Sequence, residues 1–454
     1  MLFPPPRCRI PLLTLALYAA LLIVIAGSRP LWVDEILQLV VTSDGSAHDV
    51  VDWAARNPGG VPSAYLVQWL LLKVAPLSPL AARLPSIVFA IATLVLVDRL
   101  ARKLILPAAG PALWLLALAP IQFRYAIEAR PYVQALCFTV LASLTLVRLA
   151  ESPTMRRWLC YSLCLTACLY TQPFSFFVCA GHFVWAASLE SPSAERWILS
   201  AAVAAGLAFA PWFLLAGPHW AEAVAANHYR FDASFETARA FLRDSSGAGY
   251  VGTAMLIFFA VIGLTSKMIS QSTKALLLVS TLVPIPCVFV ADATFGYFFA
   301  ARQLLWILPP LCLLAGVGIK MALGRRQVVL AMVVALFVVH DVRYALGARE
   351  DWDLAASTLS TAVQISGACA IVAPPESVAL YQFFEPSVSR ERCDPNQPNH
   401  TAVLLVRTPY TEESTGERQG RLLLDAGLSP GPTITSGGTR LTLYLRVQDT
   451  ADLN

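Results

Sequence analysis

Leu31-Trp32-Val33-Asp34-Glu35-Ile36 follows directly on the first long apolar run of the chain, Ile10 to Gly27. Two carboxylates beside a tryptophan at the end of a membrane-length segment fix both the solvent of this chain and the place of its chemistry. Such charges are tolerated where headgroups or water begin, which is where the polar end of a lipid-borne molecule lies. The apolar run exceeds the ~7 to 15 residues of a signal-peptide core, so it reads as a retained helix.

Outward from this point the composition agrees. Of 454 residues, 57% are hydrophobic and only 14% charged, which describes a polytopic α-helical membrane protein. A bilayer core takes roughly 17 to 25 mainly apolar residues per helix. Further runs of this kind are Ala81 to Leu100, Leu104 to Phe123, Pro131 to Leu149, Trp158 to Tyr170, Phe174 to Leu189 and Trp197 to Gly217. Tyr250 to Leu264, Ala275 to Ala291, Leu304 to Ile319 and Val328 to Val342 complete a set of about eleven transmembrane helices. Tyr65 to Val74 is too short to cross and reads as interfacial.

The basic residues set the orientation. Arg7/Arg9, Arg99/Arg102/Lys103, Arg156/Arg157, Lys267/Lys274 and Lys320/Arg325/Arg326 collect in one alternating set of loops, expected in the cytoplasm together with the N-terminus. The acid-bearing loops then face outward, in an inner (plasma) membrane with the C-terminal domain extracytoplasmic. The expected division is a membrane domain over 1–345, with a first outer loop at 28–80, and an outer domain over 346–454.

In that outer domain a helical pattern at Trp352 to Ile365 precedes apolar runs at Cys369 to Val372 and Ala402 to Arg407. Thr439 to Val447 then alternates with period two, so the domain reads as small and α/β. Of the ten cysteines seven lie in apolar runs, whereas Cys369 and Cys393 stand in the polar outer sequence, where an oxidising compartment would allow a disulfide. No metal-ligand spacing appears, and no metal or other cofactor is expected. The net charge of +4 and the lack of a basic tract give nucleic-acid binding no support.

The candidate site residues lie in two outward loops. The first holds Asp34, Glu35, Arg56 and the turn Asn57-Pro58-Gly59-Gly60; the second holds Arg124, Tyr125, Glu128, Arg130 and Tyr132. For Asp34 the two readings are a solvated charge beyond a helix end and a general base held near the lipid by Trp32, Ile36 and Leu37. Arg130 fits either a snorkelling anchor or a phosphate ligand. His182, inside a span, fits helix packing better than ligation.

Taken together these motifs resemble the GT-C class of membrane glycosyltransferases, which includes protein O-mannosyltransferases, lipid A aminoarabinose transferases and lipopolysaccharide galacturonosyl transferases. The resemblance is clearest at Trp32-Val33-Asp34-Glu35 and continues through Pro58-Gly59-Gly60-Val61-Pro62-Ser63-Ala64-Tyr65, Ala82-Arg83-Leu84-Pro85-Ser86 and Glu128-Ala129-Arg130-Pro131-Tyr132. Tyr170-Thr171-Gln172-Pro173-Phe174, Ala301-Arg302-Gln303 with Leu308-Pro309, and Arg349-Glu350-Asp351-Trp352 extend it.

The resemblance implies inverting transfer of a hexosyl or pentosyl unit from a polyprenyl-phosphate donor to an envelope glycan, lipid or protein. Asp34 is then the general base, Glu35 and Glu128 are further catalytic candidates, and Arg56, Arg130, Tyr132 and Arg302 bind substrate. The absence of a Gly-rich nucleotide loop agrees with a lipid-borne sugar. The rival reading is a lipid or glycan transporter or flippase, which calls for charges within several spans and an inverted repeat.

Overall fold

The computed structural model describes residues 12–57, 59–104, 109–189, 192–227, 235–295, 300–322, 325–388, 393–395 and 401–446. Arg7, Arg9 and Pro58 of the sequence reading lie outside them. The chain forms two compact units, Met1–Gly27 with Val41–Leu346, and Ser28–Val40 with Gly347–Asn454. The acidic pair therefore belongs to the unit that contains the C-terminal residues.

The larger unit is helical. Among the described residues six helices are long and apolar enough to cross a membrane, or up to eight if each of two bent helix pairs counts as one span. Fewer qualify than the eleven apolar runs because proline divides some of them. The Leu104 to Phe123 run splits into Ala109–Ala117 and Pro120–Ala126, since Pro120 has no N–H to continue the first helix but suits the start of the second. Met155–Thr171 likewise stops before Pro173, where the Gln172 side chain accepts the Ser175 N–H at 2.9 Å and a 3₁₀ turn leads into Val178–Ala187. The Tyr65 to Val74 stretch lies mostly in the Pro62–Leu72 helix, whose 11 residues reach about half of a bilayer core.

Close approach holds the bundle where side chains are small. A Cβ on Gly318 would lie 1.9 Å from the Phe259 carbonyl oxygen, and one on Gly263 would lie 2.1 Å from that of Leu314. The helices Gly249–Thr265 and Leu308–Met321 thus pack backbone to backbone. Gly318→Val forces them apart and is expected to lower the melting temperature of the detergent-solubilised protein by several degrees. Val261→Ala, at a 55% exposed position of the first helix, should leave it unchanged.

Polar side chains tie the first loop to this bundle. The fully buried Arg83 donates to the Ala26 carbonyl oxygen at 2.6 Å, placing a cation at the C-terminal end of Leu12–Ser28, where the helix dipole favours it. Gln68 accepts from Thr42 at 3.0 Å and donates to the Ala82 carbonyl at 3.1 Å, while Gln134 donates to Ser63 at 2.9 Å. His182 is buried between Ser143 and Tyr161, at 3.1 and 2.9 Å from their hydroxyls, an interhelical packing role.

The smaller unit contains a four-stranded sheet of β1 (Cys369–Ala373), β2 (Ala402–Arg407), β3 (Leu428–Ser436) and β4 (Thr439–Arg446), in the order β1-β2-β4-β3. β1 and β2 run parallel and the other pairs antiparallel. Ala373, Val403, Leu405, Leu423, Leu428 and Tyr444 form a core on the sheet, and a disulfide joins Cys369 to Cys393. At one end of the sheet, the Asp351 N–H donates to the Gly437 carbonyl at 3.1 Å in the β3–β4 turn. Gly437 has φ +56°, and a Cβ there would meet the Asp351 carbonyl oxygen, so this turn requires glycine.

Candidate active site

In the smaller unit the acidic pair opens the Val33–Thr42 helix, with both carboxylates in its first turn, where the macrodipole favours negative charge. The two play different parts. Glu35 is fully buried and its Oε2 accepts the Trp32 N–H at 3.2 Å, the reach-back contact of a helix cap. Asp34 is half-buried. The Arg349 guanidinium lies 5.1 Å from the centre of the Trp32 ring, and the Tyr410 hydroxyl donates to Glu350.

In the larger unit the second loop builds a dense arginine and tyrosine cluster. Its starting point is the short helix Pro120–Ala126, seated against a turn at Gly247 whose φ of +78° admits glycine and whose Cβ position would strike the Ile121 nitrogen. From this helix Arg124 reaches forward to Glu128, Nε to Oε1 at 3.1 Å, and the Tyr344 hydroxyl donates to the same oxygen at 2.5 Å. Glu128 is fully buried. Burial works against the Arg124 charge, yet Glu128, Tyr125 and Tyr344 outweigh it and hold its pKa above the ordinary guanidinium value. Tyr125 is pushed up to about 12, by burial above all.

Around this core the rings and cations alternate. Tyr125 meets Tyr132 edge to face at 4.8 Å, and the Arg302 Nε donates to the Tyr132 hydroxyl at 2.9 Å. The guanidiniums of Arg130 and Arg302 lie 5.7 and 5.8 Å from the Tyr132 ring centre, and that of Arg124 lies 5.6 and 5.4 Å from the rings of Tyr125 and Tyr344. Such contacts fix the cations in place without neutralising them. The cluster holds three arginines and one carboxylate, which is chemistry suited to an anion such as a phosphate.

The structure thus gathers Arg124, Tyr125, Glu128, Arg130, Tyr132 and Arg302 of the sequence reading and adds Tyr344. Arg56 is 67% exposed at its side chain and pairs with Asp52 one turn earlier at 2.9 Å. Tyr344 carried no signal of its own in the sequence, because a tyrosine in the last turn of a span reads as an interfacial anchor. Among the described residues no three His, Cys, Asp or Glu side chains gather into a group that could hold a metal ion.

One turn before Tyr344, Asp341 is 5% exposed, and among the described residues neither of its carboxylate oxygens has a hydrogen-bond partner. Burying a carboxyl group in this way is costly. Asp341→Leu is therefore expected to raise the melting temperature; a fall, together with lost turnover, would instead give this carboxylate a part in function.

No family model matches the sequence, and no curated protein matches it. Solved structures do. ArnT from Cupriavidus metallidurans in the apo state superimposes with a TM-score of 0.63 over 96% of this chain and 97% of that one, at 12% identity. ArnT from the same organism bound to undecaprenyl phosphate gives 0.59 over 96% and 98%, at 11% identity. The chain has the GT-C fold. The mycobacterial arabinofuranosyltransferase AftD adds a TM-score of 0.53 at 13% identity, with 96% of this chain aligned to 40% of AftD.

Proposed function

We propose that this GT-C chain is a membrane glycosyltransferase that moves a hexosyl or pentosyl unit from a polyprenyl-phosphate donor to an envelope acceptor, which is a glycan, a lipid or a protein. The reaction is assigned to the outer face of the cytoplasmic membrane, with the N-terminus cytoplasmic and the Gly347–Asn454 segment extracytoplasmic. The observation behind it is the cluster of Arg124, Arg130 and Arg302 on three tyrosines, a cationic surface inside a protein of mainly apolar helices. A structural neighbour of the same fold, ArnT, is known bound to undecaprenyl phosphate, and the same chemical class of ligand suits these arginines.

The roles follow from the chemistry. The acceptor hydroxyl gives its proton to Asp34 as its oxygen attacks the anomeric carbon. The bond from that carbon to the phosphate oxygen breaks, and polyprenyl phosphate leaves with the electron pair. Arg130 and Arg302 stabilise the charge that grows on the leaving phosphate. Glu128 is fully buried and held at one oxygen by Arg124 and Tyr344, which suits positioning of Arg124 better than the work of a mobile base. Glu35 caps the helix that bears Asp34 and acts by positioning it.

Proteoliposomes separate this reading from the transporter reading. Purified protein given a polyprenyl-phosphate sugar and an envelope extract should release polyprenyl phosphate in step with glycosylated acceptor. Intact donor that only changes leaflet would overturn the proposal.

A further inference from the structure

Within the smaller unit, one tyrosine is fixed more firmly than a surface side chain needs to be. Tyr410 is 49% exposed, yet its ring lies nearly parallel to that of Trp352, with an interplanar angle of 11° and centroids 6.4 Å apart, and its hydroxyl is bound to Glu350. Its backbone N–H donates to the Thr408 hydroxyl at 3.2 Å. Trp352 is itself fully buried and packs edge-on against Tyr381 at 5.4 Å, and the Tyr381 hydroxyl shares a 2.9 Å hydrogen bond with Thr439. Ordering an exposed side chain costs conformational entropy. The core beneath would be covered as well by a ring whose outer end was free.

We propose that Tyr410 and Glu350 form the subsite for an uncharged sugar ring of the acceptor, the ring stacking on the exposed face of Tyr410 and its hydroxyls donating to Glu350. This rests on the glycosyltransferase reading and adds to it the class of molecule that the acceptor site takes. An immobilised aromatic face beside a carboxylate matches a pyranose or furanose, which presents an apolar C–H face and a rim of hydroxyl donors.

Charge and position agree. Glu350 at the Tyr410 hydroxyl and Asp34 within electrostatic reach of it are both carboxylates, which disfavours a phosphate and admits a neutral polyol. Asp34 belongs to the same unit and lies within electrostatic reach of the Tyr410 phenol, whose pKa is raised by burial first, then by Glu350 and Asp34. The phenol therefore keeps its proton, and with it the bond to Glu350, at neutral pH. A sugar hydroxyl held here is offered to the proposed base.

Saturation-transfer NMR on the full-length detergent-solubilised protein tests the subsite without requiring turnover. Methyl glycosides of glucose, galactose and mannose are the probes, each beside its 6-phosphate. At least one neutral glycoside should bind, its phosphate should bind at least tenfold more weakly, and Tyr410→Ala should weaken the glycoside at least tenfold. Glu350→Gln, nearly isosteric and harmless to the stack, should weaken it several-fold and guards against a folding defect in the first variant. Equal binding in wild type and both variants, no binding of any glycoside, or preference for the phosphates would overturn the subsite. Donor consumption by wild type is scored separately, so a glycosyltransferase that ignores Tyr410 and a sugar-binding protein that transfers nothing give different results.

Discussion

Asp34→Asn should lose about 10² to 10⁴ in turnover, the usual contribution of a positioned general base, while binding the polyprenyl-phosphate donor as wild type does. The amide keeps the size of the carboxylate and its place in the first turn of the Val33–Thr42 helix, but it cannot take the acceptor proton. Glu35→Gln separates the two neighbours. Glu35 caps the helix through the Trp32 N–H, and a glutamine oxygen can accept the same bond, so this variant should keep most of its turnover. Single-turnover transfer with prebound donor measures both. Full activity in Asp34→Asn, or equal losses in the two variants, would remove Asp34 from the role of base.

The second large effect is expected at Arg302. Truncating one member of a desolvated, hydrogen-bonded charge interaction costs about 2 to 5 kcal/mol, so Arg302→Gln should lower kcat/KM for the donor roughly 30-fold to several-thousand-fold. Arg302 is tied to the Tyr132 hydroxyl, and Tyr132→Phe should give a smaller loss in the same direction by loosening the guanidinium. Arg56→Gln is the comparison, since an exposed i,i+4 pair contributes about 0.3 to 0.5 kcal/mol and Arg56 is engaged in such a pair with Asp52. Its donor kinetics should change less than tenfold. Equal losses at Arg56 and Arg302 would contradict the division between surface pair and phosphate ligand.

Much of this was legible in the residues themselves. The apolar runs, the carboxylates after the first of them and the Glu128 to Tyr132 loop follow from hydropathy and charge alone. The span count did not transfer directly, because Pro120 and Pro173 divide runs that are continuous in composition but not as helices. The different parts of Asp34 and Glu35 were hidden as well, since a tryptophan before a helix gives no capping signal although Glu35 reaches back to its N–H. Tyr344 stands 216 residues from Glu128 in the chain, beyond the reach of any local pattern. The Asp52–Arg56 pair, by contrast, is legible in its i,i+4 spacing.

The anomeric configuration of the transferred sugar tests the central claim most directly. Direct displacement from a polyprenyl phosphate, with Asp34 taking the acceptor proton, inverts that carbon in a single step. NMR of the glycosylated product should therefore show the configuration opposite to that of the donor. Retention would point to a double displacement or a front-face substitution and would contradict single displacement with Asp34 as general base.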